Sequence, residues 1–306
     1  MVSLRKSENM NLCLGTVQFG MDYGIRKQKR PLLAESVAMF DYAMQNGINT
    51  FDTANAYGLA EEIIGVWIAK KSSSRNNIHI ISKAMPNLVD GLPPENYYSV
   101  IKENLLQSLS RMKTDFLDAY LLHSARYVFN DTIIAALMRL KKEGYVKAIG
   151  VSVYEVEEAN HGISHPDIDM IQLPYSIFDQ RMLHGGVLES AKQSDCIIHA
   201  RSAFLQGLIL MTEQEVPDFL QKARPILRDI DEVCSHTGVS RIQLALGYVK
   251  AEESISHLVF GVDDLDQLKE NITIFNKDID KDIIKVAAEK FKNLETDIVM
   301  PSLWKR

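Results

Sequence analysis

The chain has 306 residues, of which 46% are hydrophobic and 24% are charged, and its formal net charge is −6 at pH 7. These proportions are typical of a globular protein with a large core, and the acidic balance without Lys/Arg clusters argues against a nucleic-acid partner. No stretch approaches the roughly 20 apolar residues of a membrane span, so no membrane partner is expected.

The cysteines and the N-terminus indicate the cellular compartment. Cys13, Cys196 and Cys234 are odd in number and widely spaced, which is more typical of reduced thiols than of a disulfide framework. The N-terminus lacks the apolar run of a signal peptide. The sequence therefore predicts a cytoplasmic protein, and no spacing of His, Cys, Asp or Glu predicts a metal site.

Short apolar runs alternate with longer helical patterns from near the start to about residue 275. Strands are predicted at 12–15, 48–52, 78–83, 116–123, 146–151, 168–172, 196–200 and 257–260. Helices are predicted at 35–46, 60–71, 93–112 and 131–142, with Gly47 and Gly144 as C-terminal caps for the first and last of these. The polar run at 72–77 separates the second helix from the third strand.

Eight such units predict the fold class α/β, a (β/α)8 TIM barrel. Without a composition break, a linker or an internal repeat, residues 1–306 are expected to form a single domain. An open doubly wound sheet would be expected to carry a Gly-x-Gly-x-x-Gly turn after an early strand, and the sequence contains none. The segment 210–236 is extra to the pattern, which predicts an insertion after strand seven, at about 201–237, on the active-site side.

Titratable residues follow three consecutive predicted strands. Asp52 ends the second strand and Tyr57 follows it by five residues, while Lys83 ends the third strand and His123 the fourth. The carboxyl ends of barrel strands meet at one rim, where βα-loops carry out chemistry. Individually, the alternatives are a helix cap for Asp52, a core tyrosine, a solvated rim lysine and a satisfied histidine. Their joint placement favours a catalytic constellation.

An ordered set of motifs spans nearly the whole chain: Gly15-Thr16, Phe51-Asp52-Thr53-Ala54 with Tyr57-Gly58 and Glu61, Lys83, Leu121-Leu122-His123, Gly150-Val151-Ser152, Gln172 with Tyr175, and Gly261 with Glu270-Asn271. In this set the chain resembles the aldo/keto reductase family. The resemblance implies NADP(H) or NAD(H) across the barrel mouth and an aldehyde, ketone or sugar-like carbonyl as the small-molecule substrate.

The implied chemistry assigns a role to each catalytic candidate. Tyr57 donates a proton to the carbonyl oxygen as hydride arrives. The Lys83 ammonium is expected to bring the Tyr57 pKa down from about 10 towards the working range, and Asp52 to hold Lys83 charged. His123 is expected to bind and polarise the carbonyl oxygen.

The resemblance also implies a set of cofactor-binding residues: Gly15, Thr16, Asp52, Ser152, Gln172, Arg201, Ser202, Gly207, Gly261, Val262, Asp263, Gln267 and Asn271. Ser152 and Gln172 match positions that grip the nicotinamide amide. Two residues depart from the common pattern. Val153 stands where many relatives carry Asn, and Arg201 stands about where many relatives stack an aromatic ring on the nicotinamide. A planar guanidinium stacks as well, and the alternative is that Arg201 faces substrate or solvent.

The phosphate end of the cofactor is expected where the last strand passes into a helix, because helix N-terminal amides suit an anion. Relatives that prefer NADPH often carry Lys or Arg here, whereas this chain has Asp263 and Asp264. Either carboxylate could simply cap the helix. If one faces the ribose instead, it repels a 2′-phosphate and favours NADH.

Two further function classes stay open. A non-catalytic nicotinamide-nucleotide-binding barrel, acting as a sensor or accessory subunit, is the main alternative, and a barrel isomerase or lyase is a poor third. The substrate pocket is expected from the loops at 18–30, 124–130 and 204–216, with Tyr23, Tyr127 and Phe129 as walls or as packing residues. The basic residues of the first of these loops either attract an anionic substrate or are solvated.

Overall fold

Eight parallel strands close into a barrel in the computed structural model, which describes residues 10–26, 28–70 and 75–305. Strand order follows the sequence, and the last strand pairs with the first. The strands are β1 Asn11–Gly15, β2 Thr50–Asp52, β3 His79–Lys83, β4 Leu117–Leu122, β5 Val146–Ser152, β6 Met170–Pro174, β7 Ile197–Arg201 and β8 His257–Phe260. The predicted (β/α)8 barrel is confirmed.

Thirteen α-helices occur in the described ranges, most of them packed around the barrel. They are α1 Val17–Gly20, α2 Leu33–Gln45, α3 Ala60–Lys70, α4 Tyr97–Met112, α5 Asp131–Lys142, α6 Val156–Ser164, α7 Arg181–His184, α8 Val187–Lys192, α9 Arg224–Thr237, α10 Arg241–Lys250, α11 Leu265–Phe275, α12 Lys281–Phe291 and α13 Thr296–Val299. Among the described residues, no helix combines the length and the apolar character that crossing a membrane requires.

Helix α5 shows how local sequence sets an element. Asn130 caps it, because its side-chain oxygen accepts from the backbone N–H groups of Thr132 and Ile133 at 3.1 and 3.2 Å. Apolar residues at helical spacing bury one face against the barrel. Gly144, the predicted C-terminal cap, follows with the positive φ of 85° that a helix end favours.

Several predicted bounds shift. Strand β6 lies two residues later than predicted, and β4 ends at Leu122, so that His123 is the first residue of the following loop. The predicted helix 93–112 is a short 3-10 helix, Pro94–Asn96, followed by α4. Residues 71–74, which include the first half of the predicted break at 72–77, lie outside the described residues.

The apolar core has two parts. One lies between strands and helices, where the rings of Phe40, Phe51 and Trp67 are 4.8 to 5.3 Å apart. The other fills one side of the barrel interior, around Ile81 and Met170. The barrel interior also holds polar side chains, so the half that lies next to the carboxyl ends of the strands can support chemistry.

A pair of histidines, absent from the sequence predictions, lies in the barrel interior. The buried rings of His199 and His257 stack with their centres 4.4 Å apart. Burial lowers the pKa of His199 far below its ordinary value and that of His257 to about 4. Both imidazoles are therefore neutral at neutral pH and pack as flat, weakly polar side chains.

The connection from β7 to α10 is long and reaches back to the loop after β1. It contains α9 and three 3-10 helices, Leu205–Leu210, Glu213–Glu215 and Asp218–Ala223. Arg26 pairs with both oxygens of Glu215 at 2.7 Å, and the Ile25 N–H donates to the Gln206 carbonyl at 3.2 Å. This connection overlaps the predicted insertion at about 201–237. That the segment is an insertion, and that the chain forms a single domain, both stay predictions.

Candidate active site

A cleft of about 710 Å³ opens at the carboxyl ends of the strands. Of the predicted catalytic and cofactor residues it is lined by Gly15, Thr16, Asp52, Tyr57, His123, Ser152, Gln172, Arg201, Ser202, Gly207, Gly261, Asp263, Gln267 and Asn271. Two predicted residues do not line it. Lys83 is fully buried beneath the cleft, and the Val262 side chain is packed in the core.

A buried ion pair forms the floor of the cleft. The Lys83 ammonium donates to Asp52 Oδ1 at 2.7 Å and to the Thr53 carbonyl at 3.0 Å. Gln172 Nε2 donates to the other Asp52 oxygen at 2.7 Å. Burial lowers the pKa of Lys83, but the charge of Asp52, the nearby Tyr57 and the hydrogen bond to Asp52 together more than compensate, so that the pKa lies above its ordinary value. Lys83 is therefore a permanent cation here.

Tyr57 lies directly above this pair. Its ring centre is 5.1 Å from Lys83 Nζ and 5.7 Å from the His123 ring, which it meets edge-on at 82°. Burial raises the pKa of Tyr57 more than Lys83 lowers it, so the pKa lies above its ordinary value. The expectation that Lys83 brings this pKa down overall is wrong, because desolvation of the phenolate outweighs the ammonium and Asp52 offsets part of its charge.

The turn that carries Tyr57 is held by the short helix α1. The Leu59 N–H donates to the Gly20 carbonyl at 3.2 Å. A Cβ on Gly20 would lie 1.7 Å from the Tyr57 carbonyl oxygen and one on Gly58 would lie 2.4 Å from that of Gly20. Only glycine fits this approach. Sequence reasoning missed Gly20, whose only signal is its place in the loop after β1.

His123 faces Tyr57 as a neutral base. Burial, Lys83 and Arg201 together lower its pKa to about 3. Its Nδ1 is buried and has no hydrogen-bond partner among the described residues. A neutral imidazole carries one N–H, so His123 can donate a hydrogen bond to an oxygen in the cleft without being an acid at neutral pH.

These pKa directions predict the pH dependence of carbonyl reduction. Tyr57 donates only while protonated; because its pKa is raised, the active form is complete below its ordinary value near 10 and is lost only as pH rises beyond that. His123 stays neutral above about 3. We expect single-turnover reduction to be flat from about pH 5 to about pH 9, while alcohol oxidation, which needs phenolate, rises with pH. A reduction midpoint near pH 7 would contradict this.

Arg201 lies at the end of β7 and packs on Tyr154. Its guanidinium carbon is 4.4 Å from the centre of the Tyr154 ring. Nη2 donates to the Val153 carbonyl at 2.8 Å, and Nη1 donates to Ser202 Oγ at 3.3 Å. Tyr154 covers one face of the guanidinium, so only the opposite face is open for stacking on a nicotinamide. That stacking stays a prediction.

The two carboxylates after β8 have different surroundings. Asp264 caps α11, since its Oδ1 accepts from the Gln267 N–H at 2.8 Å. Asp263 is half-buried and lines the cleft, where burial raises its pKa. Its backbone N–H donates to Gln267 Oε1 at 3.0 Å. The sequence left open whether each carboxylate caps the helix or faces the cofactor. Asp264 is the helix cap, and Asp263 is the carboxylate at the cleft.

At the other end of the cleft, the Gln18 side chain packs against Gly261. Gln18 Oε1 is buried without a hydrogen-bond partner among the described residues, although Gln18 lines the cleft. A Cβ on Gly261 would lie 2.2 Å from that oxygen. The missing side chain of Gly261 makes room for the Gln18 amide, whose unsatisfied oxygen can accept a hydrogen bond from a ligand that carries hydroxyl donors. The Thr16 hydroxyl donates to the Asp52 carbonyl at 3.0 Å, so its proton is not available to a ligand.

The predicted substrate loops contribute unequally. Tyr23 and Arg26 line the cleft, as do several residues of 204–210. Tyr127 does not, because its hydroxyl donates to Asp90 at 2.7 Å and its ring is buried. Phe129 is exposed and packs on His161. Both are packing residues, and Lys27, one of the basic residues of the first loop, lies outside the described residues.

A model of the aldo/keto reductase family matches residues 11–290. The chain belongs to the aldo/keto reductase family. Members of this family act on small carbonyl substrates and generally use NAD(P)H. The resemblance predicted from the motifs is thus confirmed, and the protein is an oxidoreductase.

Curated relatives and solved structures agree with this assignment. The chain is 28% identical over 297 residues to the uncharacterized oxidoreductase YqkF of Bacillus subtilis, covering 89% of this chain and 90% of the relative. It is 24% identical to an NADH-specific methylglyoxal reductase of Escherichia coli, covering 79% and 84%. The holo form of aldo-keto reductase AKR11C1 from Bacillus halodurans has the same fold, with a TM-score of 0.74 at 22% identity and 95% of each chain covered.

Proposed function

We propose that this aldo/keto reductase reduces an aldehyde, ketone or sugar-like carbonyl with NAD(P)H, and that Tyr57 is the proton donor. The observation that carries the proposal is the stack of Tyr57 over the buried pair of Lys83 and Asp52, with neutral His123 facing the phenol ring. A protein that only binds a nucleotide has no need of a buried cation beneath an acid-base phenol.

The mechanism assigns one task to each side chain. A bound reduced nicotinamide would supply the hydride for the carbonyl carbon, and the carbonyl oxygen would then gain negative charge. His123 donates a hydrogen bond to that oxygen and Tyr57 gives it a proton. Lys83 stabilises the phenolate that remains. Asp52 and Gln172 hold Lys83 in place, which is a positioning task because neither group needs to exchange a proton.

The chain's own residues would hold the cofactor along the cleft. Ser152 and Gln172 lie at the catalytic end and suit the nicotinamide amide. Gln18 would supply an acceptor beside Gly261, and Asp263, which lines the cleft, would face the ribose of the adenosine half. Cofactor binding at Gln172 would thereby touch the same amide that holds Asp52.

The cofactor preference follows from Asp263. A 2′-phosphate beside this half-buried carboxylate would be repelled, and Arg26, whose charge acts on the Asp263 pKa, is already paired with Glu215. A relative that is NADH-specific supports the same preference.

We expect NADH to bind at least as tightly as NADPH, and Asp263→Ser to tighten NADPH binding by about tenfold while changing NADH binding little. Dissociation constants from fluorescence titration measure both, with Asp264→Ser as control; tight, salt-sensitive NADPH binding by the wild type would contradict the prediction.

A panel of aldehydes, ketones and aldoses assayed with each reduced nucleotide tests the proposed activity. Carbonyl-dependent loss of nicotinamide absorbance is the expected result. Tight nucleotide binding without turnover on any carbonyl would instead favour the alternative of a nicotinamide-binding sensor or accessory subunit. The cytoplasmic location and the absence of a nucleic-acid partner stay predictions.

A further inference from the structure

The charge of Arg201 is not used by the catalytic scheme. Within the described residues no carboxylate forms an ion pair with it, whereas Asp52 and Arg26, which also line the cleft, each have an ion-pair partner. Arginine is rarely buried without a partner, because desolvating its charge costs free energy. An unpaired, half-buried guanidinium in a binding cleft therefore indicates a ligand that supplies the negative charge.

The Arg201 fork is held ready for such a ligand. The contact with Tyr154 fixes the guanidinium plane, and the bonds to Val153 and Ser202 use two of its five N–H donors. The remaining donors have no acceptor among the described residues. A planar fork with parallel N–H groups matches a carboxylate in two-point contact.

Arg201 lies at the reacting end of the cleft. Its charge acts to lower the pKa of both Tyr57 and His123, the two groups assigned to the carbonyl oxygen. It also lines the same cleft as both. The nicotinamide carries no anionic group. The negative charge that pairs with Arg201 at the reacting end of the cleft is therefore assigned to the substrate and not to the cofactor.

We propose that Arg201 selects carbonyl substrates that carry a carboxylate, which it binds while the carbonyl oxygen meets Tyr57 and His123. This inference rests on the proposed reductase function and names its substrate class. The natural substrate is accordingly an oxo acid or a sugar acid with a free carbonyl, consumed as the anion.

The test compares two carbonyls that differ only in charge, 5-oxopentanoate and pentanal, with NADH. We expect the wild type to favour 5-oxopentanoate in kcat/KM by about 10- to 100-fold, the range of a charge-assisted hydrogen-bonded pair. Arg201→Met should remove this preference by raising the KM for 5-oxopentanoate; because any effect on the cofactor or on Tyr57 falls on both carbonyls alike, the readout is the ratio of the two kcat/KM values. Arg201→Lys should keep part of it, because it keeps the charge without the planar fork.

Two further measurements separate the inference from its competitors. Arg139→Met removes an exposed arginine outside the cleft and should leave the preference intact. Calorimetric binding of glutarate to the wild type and not to Arg201→Met would support the inference without turnover. The inference is overturned if Arg201→Met and Arg201→Lys both keep the wild-type preference for 5-oxopentanoate. It is also overturned if only phosphorylated carbonyls such as glyceraldehyde 3-phosphate are favoured over their neutral forms. A third contrary result is that Arg201→Met weakens NADH binding tenfold and leaves the preference unchanged.

The outcomes also separate this inference from the reductase function. Reduction of pentanal without any preference for the carboxylate would overturn the role of Arg201 and leave the reductase function standing. Failure to reduce either carbonyl would count against the function, and glutarate binding would then decide the role of Arg201 on its own.

Discussion

Replacing Tyr57 with phenylalanine is expected to lower the rate of carbonyl reduction by at least about 10², the usual contribution of a positioned general acid. The variant keeps the ring that packs over Lys83 and against His123 and loses only the proton. Because the phenol acts on the substrate oxygen, the NADH dissociation constant should change by less than about twofold. Single-turnover rates and fluorescence titration measure the two effects separately.

Tyr154→Phe is the matched control for this variant. Tyr154 also lies in the cleft, but it packs on Arg201 instead of over the buried ion pair. Removal of its hydroxyl should leave turnover within a few-fold of the wild type. If Tyr57→Phe keeps more than about a tenth of the wild-type rate, Tyr57 is not the proton donor.

Lys83→Met is expected to abolish reduction and to destabilise the fold by about 3–5 kcal/mol, the cost of leaving a buried charge without its partner. Asp52 is 3% exposed and its Oδ1 accepts from the Lys83 ammonium, so removal of the ammonium leaves that carboxylate uncompensated. Urea unfolding measures the free energy. The solvent-accessible pair of Lys102 and Glu143 provides the control, because Lys102→Met should destabilise the fold far less than Lys83→Met.

A second substitution separates stability from catalysis at this pair. Asp52→Asn together with Lys83→Met removes both charges and should recover most of the lost free energy of unfolding. It should not recover activity, because nothing then stabilises the Tyr57 phenolate. Recovery of both stability and turnover in the double variant would mean that Lys83 has no role beyond holding the fold.

The alternation of apolar runs and helical patterns was sufficient to predict the eight strands and the barrel, because each strand is short, apolar and followed by a helix with one buried face. The same periodicity predicts that Asp52, Lys83 and His123 meet at one rim, since parallel strands end on the same side of a barrel. Strand bounds were less predictable; β6, for instance, begins only where its residues pair with β5 and β7.

Contacts between distant loops could not be predicted from the sequence. The Gln172 amide bonds Asp52 across 120 residues, and Gly20 supports the Tyr57 turn only through a backbone contact. The raised pKa of Tyr57 depends on the depth of burial, which no local pattern encodes. The sequence alone could not show that Asp264 is the helix cap and Asp263 the residue at the cleft, because the two carboxylates are neighbours with the same chemistry.

Hydride transfer from the nucleotide to a carbonyl carbon is the central claim, and isotope transfer measures it directly. The wild type is incubated with 5-oxopentanoate or pentanal and with NADH that carries deuterium at both C4 positions, and the alcohol product is analysed by mass spectrometry. The proposed function predicts one deuterium on the carbinol carbon of the alcohol, formed at least about 10² times more slowly by Tyr57→Phe. Tight binding of NADH without any deuterated alcohol from either carbonyl would contradict the proposed function.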